Sequence, residues 1–433
     1  MPVTTASLGD FLTEKVAPTI KTQLPNEVKL LKRFDEADDV QWSGRECVQR
    51  ITVNRNRGVY FTAEGGQPPV GGRMQYEAFR IPMRYIHGGI RYTKQSELAS
   101  KNQPGPSMLK QELKGMMDAL KRQHSFAIMG DGRGVRALIN GDPGTGTTLT
   151  LDSPGGFAGA NHGNRYLNEG DYIVAINPAT GLLRAGGTRY ITARNAAGTT
   201  VTVSAAIDAA WADNDIICKA YGSDASINIR DTDWQHPHMG IMGMIDNGTY
   251  VNQYFGLSRT TFPILQATRF GTTSAPVGAL SADVMQRAID VVSQVSGGTT
   301  NEIWCHLDTR RAYLTIMEQD RRYQGGDLMR PNAGTVAASG KDSLKFGPDI
   351  TIHTDGDFPY GFMIGLDTSE CQKYTLLDGE WANDTGSIWK AVSGQVDTLE
   401  ATWRSYVNYG YFQPNKSWRL DGISNSFVVA HIA

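Results

Sequence analysis

Apolar positions change rhythm several times along the chain, and each change marks an element. Between residues 47 and 94 they fall into short strand-like runs at 47–53, 58–61, 79–81 and 85–86, broken by a glycine- and proline-rich tip at 65–72. At about 3.3 Å per residue, each arm of such a ribbon reaches on the order of 60 Å. A lone two-stranded hairpin is marginally stable in water. A ribbon of this length therefore needs a surface to lie on, and another copy of the chain is the nearest one.

From 107 to 129 the period becomes helical. Leu109, Leu113, Met116, Met117, Leu120 and Ala127 share one face. Lys110, Glu112, Lys114, Asp118, Lys121 and Arg122 occupy much of the other. Pro106 sits at the mouth, where its missing N–H costs nothing, and Gly130-Asp131-Gly132 ends the helix. Residues 141–229 then read as short strands (147–151, 172–176, 189–194, 199–204, 215–220) between glycine turns, the spacing of a small β-sandwich or barrel. From 280 the pattern is α/β. Val284, Ala288, Val291, Val292 and Val295 mark a helix ending at Gly297, and 303–307 reads as a buried strand. Asp308 then caps a helix that turns Tyr313, Leu314 and Met317 inward. Further strands are expected at 350–353, 361–365, 373–377, 399–411, 417–420 and 426–432.

A long N-terminal segment, a long hairpin, a long amphipathic helix and a Gly-Asp-Gly turn follow one another. In that order and texture the chain resembles the major capsid protein of tailed double-stranded DNA bacteriophages, the HK-ninety-seven-type fold. The stretches that carry the likeness are FRIPMRYIHGGIRYTKQ (79–95), MLKQELKGMMDALKRQHSFAIMGDGRGVRAL (108–138) and QPNKSWRLDGIS (413–424), with MGIMGMIDNG (239–248) and FGLSRTTFPIL (255–265). The resemblance implies an α+β fold. It would comprise an N-terminal arm (1–46), an extended loop (47–94), a peripheral domain with its spine helix (95–140) and an all-β insertion (141–229). A connecting segment (230–279), an axial domain (280–395) and a C-terminal return to the peripheral domain (396–433) would follow. It further implies self-assembly into pentamers and hexamers of an icosahedral head that encloses DNA without reading its sequence. Scaffolding, portal and decoration proteins would be partners, and the host bacterial cytoplasm the place of assembly. An encapsulin-like nanocompartment is the related alternative; the arm, the insertion and the chain length stand against it.

Composition narrows these readings. At 433 residues the chain exceeds one core, so two or three domains are expected. Lysine and arginine number 42 against 44 acids, a net charge of −2; a chain neutralising DNA phosphates over a broad face is expected to be basic, so a wall around DNA would here be near-neutral. The four cysteines, Cys47, Cys218, Cys305 and Cys371, show no metal or redox spacing, and reduced thiols are expected. No signal-peptide pattern opens the sequence and no run of about 18 apolar residues spans a membrane. No cofactor is expected.

Three patterns resemble reactive chemistry. Residues 141–148 have P-loop glycine spacing, but Thr147 stands where the phosphate-binding lysine is needed. Cys305, His306 and Asp308 suggest a hydrolase nucleophile, base and orienter; on a strand, however, Cys305 and His306 point to opposite faces, leaving a buried thiol and an outward histidine. His236 and His238, with Asp231 and Asp233 near in sequence, suggest a metal clamp or a surface turn. The aromatic cluster at Trp403, Tyr406, Tyr409, Tyr411, Phe412 and Trp418 suits core and interface packing better than base stacking.

Charge distribution points instead to an interface. Residues 47–94 carry seven arginines and Lys94 against Glu64 and Glu77, a net of +6. Residues 367–403 carry seven acids against Lys373 and Lys390, a net of −5. Arg55, Arg57 and Arg73, with Gln67, Pro68 and Pro69 at the tip, are the expected intersubunit contacts. Residues 47–93 contain no lysine, so the isopeptide cross-link known in some members of the resembled family is not expected here.

Overall fold

A computed structural model of the chain describes residues 29–37, 42–43, 46–56, 58–67, 70–95, 108–157, 162–222, 227–272, 275–323, 344–347, 349–383, 386–392 and 397–424. Much of the expected arm lies outside this set, as does the expected strand at 426–432. The described part of the arm packs against the rest of the chain. Leu30 and Phe34 are buried, Phe34 meets the Tyr409 ring edge-on at 5.1 Å, and Asp35–Glu36 pairs in parallel with Gln372 and Lys373.

The fourteen-residue strand Thr398–Tyr411 organises a five-stranded sheet at the place of the expected peripheral domain. Tyr85–Thr93 lies along one edge, and Cys371–Trp381 followed by Lys390–Ala391 along the other. Its alternation sends Leu399, Ala401 and Trp403 to one face, where they join Ile90 and Tyr92 against Leu113, Met117 and Leu120 of the helix Met108–Met129. Gly88 permits that approach: a Cβ there would meet Leu120 and Met116 at 3.1 Å. The second half of the expected ribbon is therefore a sheet strand. The true hairpin is Glu46–Asn54 against Gln75–Pro82, so its paired arms span about 30 Å rather than 60 Å. Residues 58–61 form no strand.

A second sheet, at the place of the expected axial domain, has six strands in the order Thr268–Phe270, Trp418–Asp421, Phe362–Leu366, Glu302–Cys305, Ile350–Thr354 and Leu344–Phe346. Two expected placements exchange. Cys371–Trp381, expected in the axial domain, belongs to the peripheral sheet; Trp418–Asp421, expected in the peripheral return, pairs inside the axial one. Helix Ala282–Ser296 is capped by the Ser281 side chain, which accepts from the Val284 N–H, and ends at left-handed Gly297. Met285, Ala288 and Val292 are its buried residues, whereas Val295 is 73% exposed.

The insertion is a closed six-stranded barrel of Ala137–Ile139, Thr148–Asp152, Tyr172–Ile176, Arg189–Arg194, Thr200–Val203 and Ile216–Ala220. Its interior is packed with Ile139, Leu151, Ile173, Ile191, Trp211 and Ile217 among others. The loop after Ile350–Thr354 contacts both the barrel side and the long helix. Arg165 donates to the Phe358 carbonyl at 3.1 Å and Tyr166 to that of Asp357 at 2.7 Å, while Ser125 on the long helix donates to the Asp357 carboxylate.

Candidate assembly interface

The hairpin's inner face is fixed by period-2 alternation: Cys47, Ile51, Phe79 and Ile81 enter the main core. Phe79 packs edge-on against Tyr254, Phe255 and Phe412, and the Arg80 N–H donates to the Phe255 carbonyl. The far end has no such support. Asn54 Nδ2 donates to Gln75 Oε1 at 3.0 Å and ties the neck. Gly58 abuts the backbone at Gly72, leaving no room for a Cβ. Tyr60 donates its hydroxyl to the Gln67 carbonyl at 3.2 Å, and the turn closes from Gly66 N–H to Ala63. Beyond the neck the loop turns its apolar side chains to solvent: Phe61 is fully exposed, Val59 85% and Val70 84%.

Arg55, Arg73 and Gln67 lie in this exposed region, and among the described residues neither arginine has an ion-pair partner. Arg57, Pro68 and Pro69 lie outside the described residues. The apolar residues beside them are legible as the run Val59-Tyr60-Phe61, which reads as a strand but forms none. Its flanking glycines and lack of a matching partner run were the signal that it is a tip.

The acidic segment is not the bare surface that its sequence charge suggests. Glu400 pairs with Arg91 at 2.7 Å, Glu380 with Arg404 at 2.9 Å, Glu370 with Lys416 at 2.7 Å and Asp378 with Lys373 at 3.3 Å. Asp367 accepts from the Ser369 N–H and hydroxyl. Asp384 lies outside the described residues. Most of this charge is neutralised within the chain.

The catalytic candidates separate as well. Cys305 is buried with Met285, Ile303 and Met363, and burial pushes its thiol up to about 12. His306 is not outward as expected. It is buried beside Tyr360, and its Nδ1 accepts the Asp308 N–H at 3.2 Å, so the histidine, not Asp308, caps the following helix. Burial, then the Arg165 charge, hold it down to about 3. A thiol that resists ionisation and an imidazole that resists protonation do not form an activated pair. His236 Nδ1 lies 2.8 Å from the Thr232 carbonyl, and His238 is fully buried rather than in a surface turn. Asp233 is held by Arg136 and Tyr221. No cluster of three metal-ligating side chains occurs among the described residues, and none of their helices is long and apolar enough to cross a membrane.

No protein-family model matches the sequence, and no curated protein matches it. Solved structures do. A capsid subunit of cyanophage A-1(L) superposes with a TM-score of 0.51 at 12% identity, covering 92% of this chain and 93% of that one. The chain has the HK-ninety-seven-type capsid fold. The hairpin 46–82 and the helix Met108–Met129 stand where the resemblance expects the extended loop and the spine helix. Microbacterium phage Oxtober96 (TM-score 0.43, 10% identity, 92% and 88% covered) matches more weakly, as does an encapsulin complex from Synechococcus elongatus (0.40, 7%, 89% and 85%); neither carries weight here.

Proposed function

We propose that the chain is the major structural subunit of a tailed-phage head, not an enzyme. Copies assemble into pentamers and hexamers of an icosahedral shell that encloses double-stranded DNA without sequence-specific contact. Assembly takes place in the bacterial cytoplasm, with scaffolding, portal and decoration proteins as further partners. The observation that carries the reading is the extended-loop tip. Phe61, Val59 and Val70 stand in solvent on a loop with exposed Arg55 and Arg73 beside them. Exposed apolar side chains grouped in this way mark an interaction site, and a second copy is the partner that a capsid fold supplies. Arg55, Arg57, Arg73, Gln67, Pro68 and Pro69 are the proposed contacts, with Val59, Phe61 and Val70 at their centre.

Negative-stain microscopy of the purified protein across several salt concentrations tests this. Uniform closed shells are expected. A folded protein that stays monomeric or dimeric under all of these conditions overturns the reading.

A further inference from the structure

We infer that His124 and His238 form an acid-sensitive joint between the spine helix and the peripheral sheet. His124 lies on the helix Met108–Met129, and His238 on the segment that leads from the barrel into the short helix Ile241–Met244. Their rings stack at 5.4 Å with planes 28° apart, and the Tyr409 ring meets His238 edge-on at 4.8 Å. Both histidines are buried, His238 completely. Among the described residues, neither ring nitrogen of His238 has a hydrogen-bond partner, nor does Nδ1 of His124.

The groups packed around the pair offer no compensation for a positive charge. From strand Thr398–Tyr411 come Tyr409 and Asn408, and the Asn408 Oδ1 is occupied by the Met239 and Tyr409 N–H groups. From the turn before Tyr85 comes Arg84, which donates to the Gln235 carbonyl. From Cys371–Trp381 comes Lys373; the carboxylates on that side, Glu36 and Asp378, are ion-paired to it. Protonating either ring thus places an imidazolium in a buried site beside a second imidazole and two cations. Burial, then Lys373, hold His124 down to about 4. Burial and the His124 charge hold His238 well below its ordinary value, aided by Arg84; the Met239 backbone opposes them and does not prevail.

The sign of the linkage follows. An unfolded histidine titrates near 6.5, so below that pH the unfolded chain takes up protons that the folded chain refuses. Stability from this pair is complete above about pH 6.5 and declines as pH falls towards the folded values. Each ring contributes up to about tenfold in the folding constant per pH unit within that window. Because the pair lies between helix and sheet, acid loosens that contact.

Urea unfolding of the full chain at pH 7.0 and 5.0 tests the joint, comparing the protein with a His124→Phe/His238→Phe variant that keeps both rings but cannot titrate. The variant is expected to lose less stability on acidification, by up to about tenfold per ring per pH unit. His306, also held low, titrates in both proteins and cancels. Equal losses overturn the inference. If the variant does not fold, hydrogen–deuterium exchange at histidine C2, read residue by residue by mass spectrometry on the unmodified protein, decides. Half-exchange below about pH 5 at both histidines supports the joint; values near 6.5 overturn it.

Discussion

Arg33 Nη2 lies 2.9 Å from Glu302 Oε1, joining the segment 29–37 to a central strand of the axial sheet. The same carboxylate oxygen is 3.4 Å from His353 Nε2, and Glu302 Oε2 accepts from Trp304 Nε1 at 3.1 Å. Burial alone would raise the Glu302 carboxyl. The His353 hydrogen bond and charge, then Arg33, more than reverse this, and its pKa lies below the ordinary value. A carboxylate depressed in the fold stabilises above its unfolded pKa and loses that contribution as pH falls through the folded one.

Arg33→Ala is therefore expected to loosen residues 29–37 while leaving the rest of the subunit intact. The guanidinium is 40% exposed, so the loss is held to about 1 kcal/mol by solvent screening. Hydrogen exchange at neutral pH reads it: faster exchange at 29–37 with unchanged protection in the barrel is the expected result. Uniform protection in both regions would show that Leu30 and Phe34 hold the segment alone.

Two glycines make opposite predictions. At Gly365 a Cβ would run into the indole of fully buried Trp418, whose Nε1 donates to Thr300 Oγ1 at 3.0 Å. Gly365→Ala is expected to destabilise by about 1–3 kcal/mol through overpacking. Gly115 lies on the exposed face of the spine helix with nothing within 4 Å of an added Cβ. Gly115→Ala is expected to stabilise by up to about 1 kcal/mol. Thermal unfolding of the two variants separates them by sign.

The elements with one clean period were the legible ones. The spine helix and the helix at 282–296 follow from the helical spacing of Leu113 and Leu120 and of Ala288 and Val292, and the barrel strands at 172–176 and 189–194 from short apolar runs between glycine turns. Partner choice was less legible. Tyr85–Thr93 and Gln75–Pro82 read as one arm because only Met83 and Arg84 separate them; what divides them is Thr398–Tyr411, some three hundred residues away. The interface was half legible. The arginines announce charge in the sequence, but only the fold pairs Glu380 with Arg404 and Glu370 with Lys416.

No covalent cross-links are expected at the extended loop. Residues 47–93 contain no lysine, and an arginine guanidinium stays protonated at any ordinary pH. Particles boiled in denaturant should run as one monomer band; a ladder resistant to denaturation would contradict this.

Charge and apolar burial are the two forces that could hold the tip to a second copy in the proposed shell. Charge docking needs free acids, yet Glu370, Asp378, Glu380 and Glu400 are already paired within the chain. Exposed pairs are worth about 0–1 kcal/mol each and are screened by salt. Burying an aromatic or branched side chain is worth about 1.5–3 kcal/mol and does not depend on that screening. Phe61 and Val59 should therefore dominate, with Arg55, Arg57 and Arg73 setting register. A Val59→Ser/Phe61→Ser variant is expected to stay folded by circular dichroism but fail to close shells at any salt. An Arg55→Glu/Arg57→Glu/Arg73→Glu variant should still assemble at moderate salt, with a slower onset at low salt. Light scattering across a salt series reads both. If the serine variant assembles normally and the glutamate variant does not, charge holds the loop and the apolar tip is incidental.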